Sequence, residues 1–249
     1  MVVLLHGFSE DGSIWQPQID HLKNYYQLVI PDLPGSGQSE MLHHASIETY
    51  ADVIKEIITV EQEKNKLSGD KNFCSVIGHS MGGYITLALA EKYPGVLNSF
   101  GLFHSSAFAD TEEKIEARKK LISFINKNGV AAFLETSIPG LFHQPDVSPW
   151  PGLLINKGLS FSKEALIEYY EAMINRPDRI ALLQQTAKPV LFIIGEHDKA
   201  IPFENSLAQC HIPAISHVHI LRQSAHMGML EETDKCNKIL FEFLHLYAR

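Results

Sequence analysis

Cysteine is scarce in this chain. Cys74, Cys210 and Cys236 are an odd number at unrelated spacings, which argues against both a disulfide framework and a zinc site and leaves reduced thiols as the expected state. Positive charge is also thin: 21 Lys and Arg stand against 29 Asp and Glu, for a formal net charge of -8, and no basic run offsets it. Such a surface repels phosphate backbones, so a nucleic-acid partner is not expected. No apolar run approaches the roughly 20 residues of a membrane span. The stretch Val2-Val3-Leu4-Leu5 is too short for the apolar part of a signal peptide and has no basic residues before it. A cytoplasmic protein with no membrane partner is the expectation. What is present is an ordinary globular composition, 45% hydrophobic and 20% charged over 249 residues. That is enough for one α/β core with an insertion and no linker.

The chain is organised around Val76-Ile77-Gly78-His79-Ser80-Met81-Gly82-Gly83-Tyr84. Phe73 to Ile77 reads as a buried strand and Met81 to Tyr93 as a small-residue helix, with Ser80 in the turn between them. Gly78 and Gly82 flank the serine in a G-x-S-x-G pattern, as a tight turn with close backbone approach requires. A serine hydroxyl is a weak nucleophile until a base takes its proton, and such a turn exposes it for that purpose.

Val2 to Leu5, Gln27 to Ile30, Phe100 to Phe103, Pro189 to Gly195 and His217 to Leu221 are the other apolar runs of strand length. Helical spacing links Ile47, Tyr50, Ala51, Ile54, Ile57 and Ile58 behind Ser46 as an N-cap, and Ile239, Leu240, Phe243 and Leu244 near the end. Strands alternating with helices predict a mostly parallel sheet covered on both faces. From His104 to about Lys188 the strand rhythm stops and helical spacing replaces it, at Ile115 to Ile125 and at Leu166 to Met173. The expected division is a core of residues 1–104 and 188–249 with a helical cap at 105–187. Within it, Pro139 to Phe142 and Pro145 to Gly152 read as a Pro- and aromatic-rich, substrate-facing passage. Of its apolar residues, Phe133, Leu134, Leu141, Phe142, Trp150 and Leu153, several are expected to line an apolar pocket.

These motifs and their order resemble those of the α/β-hydrolase superfamily, of the capped serine-esterase type, over essentially the whole length. Gly195-Glu196-His197-Asp198-Lys199-Ala200-Ile201-Pro202 resembles that family's acid loop, and Ser224-Ala225-His226-Met227-Gly228 its histidine loop. The resemblance implies a triad in the order serine, acid, histidine: Ser80 as nucleophile, Asp198 as orienting acid, His226 as base. It also maps an oxyanion hole onto the backbone amides of Phe8, after His6-Gly7, and Met81. The implied activity is hydrolysis of a small carboxylic ester through an acyl-enzyme, with no cofactor. Thioesters, C–C bonds of diketones and perhydrolysis are alternatives on the same triad, and a ligand-binding protein on a hydrolase scaffold is the alternative of another class.

Glu196 is the rival acid. His79 is expected beside the nucleophile, His6 as a brace of its loop, and His104, Phe142 and Trp150 in the substrate pocket. His43-His44 and His217/His219 lack further ligands at metal spacing, so no metal is expected. Relatives usually have two antiparallel strands ahead of the one feeding the His-Gly loop, whereas here Met1 opens directly in it. Either the sheet has six strands, with Gln27 to Ile30 as an edge, or the start was placed too far downstream. Oligomeric state stays open.

Overall fold

A computed structural model describes residues 1–68 and 74–248. Phe73, expected to open a strand, lies outside the described residues. The strands are β1 (Val2–Leu5), β2 (Leu28–Val29), β3 (Ser75–His79), β4 (Ser99–Phe103), β5 (Val190–Gly195) and β6 (Ser216–Leu221). All pair in parallel, in the spatial order β2-β1-β3-β4-β5-β6. Every residue of β1, β3, β4 and β5 is buried. That is why these strands read as continuous apolar runs rather than alternating ones: both faces are covered. β2, expected over Gln27 to Ile30, forms only two ladder residues, and a short edge is itself a safeguard against pairing with another chain.

The helices between and after these strands begin with α1 (Gln16–Leu22), α2 (Ile47–Ser68) and α3 (Met81–Lys92). Between β4 and β5 come α4 (Glu112–Ser137), α5 (Trp150–Gly158), α6 (Lys163–Ile174) and α7 (Ile180–Gln185); α8 (Phe203–Cys210), α9 (Gly228–Glu231) and α10 (Thr233–Tyr247) complete the order. Ser46 caps α2 as its position suggested, its Oγ accepting from the Thr49 amide at 3.2 Å. The chain leaves β1 toward β2 on one side and leaves β3 toward β4 on the other. Right-handed crossovers then place the two sets of helices on opposite faces. The contacts agree, since α1 packs on α10 and α2 on α3. Where the winding reverses, between β1 and β3, the loops at the strands' C-terminal ends diverge and leave a crevice. Phe8 and Ser80 both sit at that point.

The stretch around Trp150 departs from the irregular passage expected through Gly152. It already starts α5 there, with Pro151 in the first turn, where a missing N–H costs no helical hydrogen bond. α4 is broken internally at Gly129, whose φ of 81° and ψ of 174° are not helical. Cys74, Cys210 and Cys236 are free and buried, and burial pushes the thiols of Cys74 and Cys210 up to about 12.

Candidate active site

Ser80 follows the last residue of β3 and precedes the first of α3, with φ 49° and ψ -114°. A non-glycine residue there is strained and persists only if the surroundings over-determine it. They do: the Ser80 amide donates to Phe103 O at 2.9 Å and Ser105 Oγ donates to Ser80 O at 2.8 Å. The two flanking glycines have separate reasons. A Cβ on Gly78 would run into the backbone of Gly82, and one on Gly82 would lie 2.6 Å from the carbonyl oxygens of Leu5 and His6. The turn therefore closes on itself and against β1. Met81 opens α3, where helix amides have no intrahelical acceptor and face outward.

Asp198 and His226 come from loops after β5 and β6. His226 Nδ1 lies 2.7 Å from Asp198 Oδ2, while Asp198 Oδ1 accepts the amides of Ala200 (2.8 Å) and Ile201 (2.9 Å). Burial alone would push this carboxyl up. The His226 charge and the hydrogen bonds from both His104 and His226 outweigh burial and hold it far below the usual carboxylate range. Glu196, the rival, is exposed. With Nδ1 donating to Asp198, the imidazole presents Nε2 as its acceptor. Ser80 and His226 line one cavity of about 270 Å³ together with Phe8, Glu10, Leu141 and Tyr170.

The other residues expected in the pocket lie elsewhere. His79, the residue before Ser80, is fully buried, and its Nδ1 lies 3.0 Å from Glu10 Oε2 and its Nε2 2.9 Å from His226 O. His104 is buried between the histidine and acid loops: Gly228 N donates to its Nε2 (3.2 Å), and its Nδ1 lies 3.3 Å from Asp198 Oδ2 and 3.1 Å from Gly195 N. Phe142 faces a different cavity, beside His143 and the acid loop. Trp150 and Leu153 face one between α1 and α5, and Phe133 and Leu134 are core. Of the six apolar residues expected there, Leu141 reaches the Ser80 cavity. His6 braces its loop, with Nδ1 toward Gly7 O (2.8 Å) and Nε2 accepting the Leu33 amide (2.9 Å).

Glu10 escaped the sequence reading. It is buried, accepts the Gly7 amide at 2.7 Å and so fixes the loop that carries Phe8. Its neighbour Asp11 is also a carboxylate, so the local sequence does not single it out, and its partner His79 lies 69 residues away. Glu231 was missed too. Its two oxygens accept the amides of His143 (2.7 Å) and Ala225 (2.9 Å), next to His226.

Among the described residues, His104, Asp198 and His226 form the one group of metal-ligand type, their atoms within 4.8 Å of one another. The 2.7 Å approach of His226 Nδ1 to Asp198 Oδ2 is that of a hydrogen bond. Two ligands each about 2.0–2.2 Å from a tetrahedral zinc would stand roughly 3.3–3.6 Å apart. The donor set fits proton chemistry better than metal chemistry.

Comparison with known proteins agrees with this architecture. The chain is 25% identical over 274 residues to mouse Protein ABHD8, covering 98% of this chain and 55% of that protein. It thus spans about half the length of these first curated relatives. It is 25% identical over 252 residues to the pimeloyl-[acyl-carrier protein] methyl ester esterase of Legionella pneumophila strain Corby, covering 98% of this chain and 94% of the relative. Among solved structures, a thermophilic esterase from Thermogutta terrifontis, with malate bound, superposes with a TM-score of 0.87 at 26% identity, over 98% of this chain and 89% of the other. The family model for the alpha/beta hydrolase family matches residues 2–239. An open parallel sheet, a serine at its winding reversal and a match over nearly all of the sequence lead to one assignment: the chain belongs to the alpha/beta hydrolase family.

Proposed function

We propose that the protein cleaves small carboxylic esters through Ser80, His226 and Asp198. The observation that carries this reading is the His226–Asp198 contact of 2.7 Å at the wall of the cavity that Ser80 also lines. In the proposed reaction Ser80 Oγ attacks the ester carbonyl carbon while its proton passes to His226 Nε2. The Asp198 carboxylate stabilises the imidazolium, and the amides of Phe8 and Met81 take the developing oxyanion. The imidazolium proton then leaves with the alcohol. Water, deprotonated by His226, hydrolyses the acyl-enzyme and restores Ser80. Each of these steps needs only groups this chain carries.

Residues 105–187 serve as a cap in this reading. Tyr170 of α6 and Leu141, in the turn just after α4, line the Ser80 cavity, and burial among such side chains strengthens every electrostatic contact at the reacting atoms. The names of two relatives, an esterase and a methyl ester esterase, favour an oxygen ester over the thioester and C–C alternatives. The test is a p-nitrophenyl acyl ester in excess over enzyme, followed through the pre-steady state. A burst of p-nitrophenol from the wild type that disappears in Ser80→Ala supports the reading. Turnover that persists unchanged in Ser80→Ala overturns it.

A further inference from the structure

The cavity at Ser80 is electrically lopsided in a chain whose net charge is -8. Glu10 is the carboxylate at its oxyanion-loop side, and Lys114, Arg118 and Lys199 line it as well. Lys114 and Arg118 stand one turn apart on α4. Lys114 Nζ donates to Ala200 O at 2.9 Å, which brings α4 against the acid loop beside Lys199. The three cations therefore gather where α4 meets the loop after β5.

Local carboxylates do not neutralise them. Asp110, 1% exposed at its side chain, accepts from Arg118 Nε at 2.6 Å and Arg176 Nη2 at 2.8 Å, and stands 3.8 Å from Lys114 Nζ. One negative charge thus serves three positive ones. Arg176 is otherwise occupied, donating also to Met173 O and Phe108 O. Arg118 is different: its Nε is taken, and no acceptor among the described residues faces its two terminal nitrogens. Its guanidinium lies 5.7 Å from the centroid of Tyr170, whose ring lines the same cavity. Lys199 is exposed, with no ion pair among the described residues. A planar fork with two free NH₂ groups, backed by two ammonium groups, suits a carboxylate. Glu10 is paired with His79, so the three cations set the charge that a bound ligand meets.

We propose, building on the Ser80 hydrolase reading, that the substrate is a short ester bearing a free carboxylate remote from the scissile bond, held by Arg118 with Lys114 and Lys199. A half-ester of a short dicarboxylic acid is the simplest member of that class. The cavity volume of about 270 Å³ lies at the small end of the roughly 300–1,000 Å³ usual for ligand sites, which limits the chain to a few carbons. Hydrolysis of a half-ester consumes one water and releases the alcohol, a dicarboxylate and one proton.

The test compares kcat/KM for monoethyl glutarate and for ethyl valerate, a neutral ester of similar length. In the wild type the charged ester is favoured by about tenfold or more, as expected for charge-assisted hydrogen bonds. The ratio falls in Arg118→Gln and in Lys199→Gln, and it falls in the wild type as salt is raised. Lys199→Gln alters an exposed side chain, so it keeps the test valid if loss of the Asp110 partner unfolds Arg118→Gln. A wild-type ratio at or below one, or a ratio unchanged in both variants, overturns the proposal, and so does preference for an ester bearing a phosphate. p-Nitrophenyl acetate separates the two readings. If it is cleaved through Ser80 but the ratio is flat, only the carboxylate proposal fails; if Ser80 neither cleaves it nor reacts with a neutral fluorophosphonate, the hydrolase reading fails and this proposal with it.

Discussion

His79 and His104 are two buried imidazoles 6.1 Å apart that are set for opposite protonation states. Both ring nitrogens of His79 face acceptors, Glu10 Oε2 and His226 O. Burial opposes its charge, but Glu10 outweighs burial and raises its affinity for a proton. His104 instead has Nε2 accepting the Gly228 amide, while Nδ1 stands 3.3 Å from Asp198 Oδ2, so the neutral ring with its proton on Nδ1 suits both neighbours. Burial pushes this imidazole down to about 4, against the pull of Asp198.

The pair predicts a stability maximum near neutral pH. As pH falls from the ordinary imidazole value of 6.5 toward about 4, the unfolded chain takes up a proton at His104 that the folded chain refuses. This group then costs about 1.4 kcal/mol of stability per pH unit. The raised His79 has the opposite sign: its contribution is complete below 6.5 and is lost as pH climbs through its folded value. Urea midpoints measured from about pH 4 to 9 should show both limbs, and His104→Gln should flatten the acid limb specifically. An acid limb of the same slope in His104→Gln removes His104 as its source.

Glu10→Ala should be among the most destabilising single changes near the site. It strands the His79 charge and the Gly7 amide in a buried setting, for which losses of about 3–5 kcal/mol are typical. Glu10→Gln keeps an acceptor for the amide and should lose less. Equilibrium urea unfolding of both variants checks the order, and equal stability of Glu10→Ala and the wild type would contradict it.

Asp198→Asn tests the orienting acid. The amide no longer fixes Nδ1 of His226 as donor, and by analogy with triad enzymes kcat should fall by up to about 10⁴. Single-turnover release of p-nitrophenol measures this, with circular dichroism showing that the fold survives. A loss of less than about tenfold would transfer the orienting role elsewhere.

Much of this site was legible because its signals are local. G-x-S-x-G at Ser80, the loop at Asp198 and the loop at His226 each announce a strand end by their own residues, and the winding of the sheet brings those ends together. The pocket wall was not legible in the same way. Periodicity shows that a helix has an apolar face, but it does not identify the neighbour that face meets. Trp150 and Leu153 consequently turned out against α1 and Phe142 beside His143. Buried polar partners are harder still. Glu10 and His79 are 69 residues apart, and Glu231 meets His143 across 88, so neither pairing leaves a mark in the local pattern.

Gly82→Ala should separate α3 from β1. Its Cβ would stand 2.6 Å from two backbone carbonyl oxygens, which cannot move as a flexible side chain would. Overpacking of this kind costs about 1–3 kcal/mol, and it displaces the Met81 amide as well. Thermal unfolding should report the first effect. A drop in kcat with KM little changed should report the second, because the oxyanion contact proposed for that amide would be made in the transition state.

The helices between β4 and β5 are stitched to the histidine loop. Leu141 O accepts the His226 amide at 2.9 Å, and Glu231 ties the His143 amide to that of Ala225. Recombination between relatives that exchanged residues 105–187 would therefore transplant part of the scaffold under the imidazole along with the pocket wall. Point changes at Arg118 and Leu121, which line the Ser80 cavity from α4, leave those ties intact. A chimera has to bring Leu141 and His143 into register before its new pocket can be used.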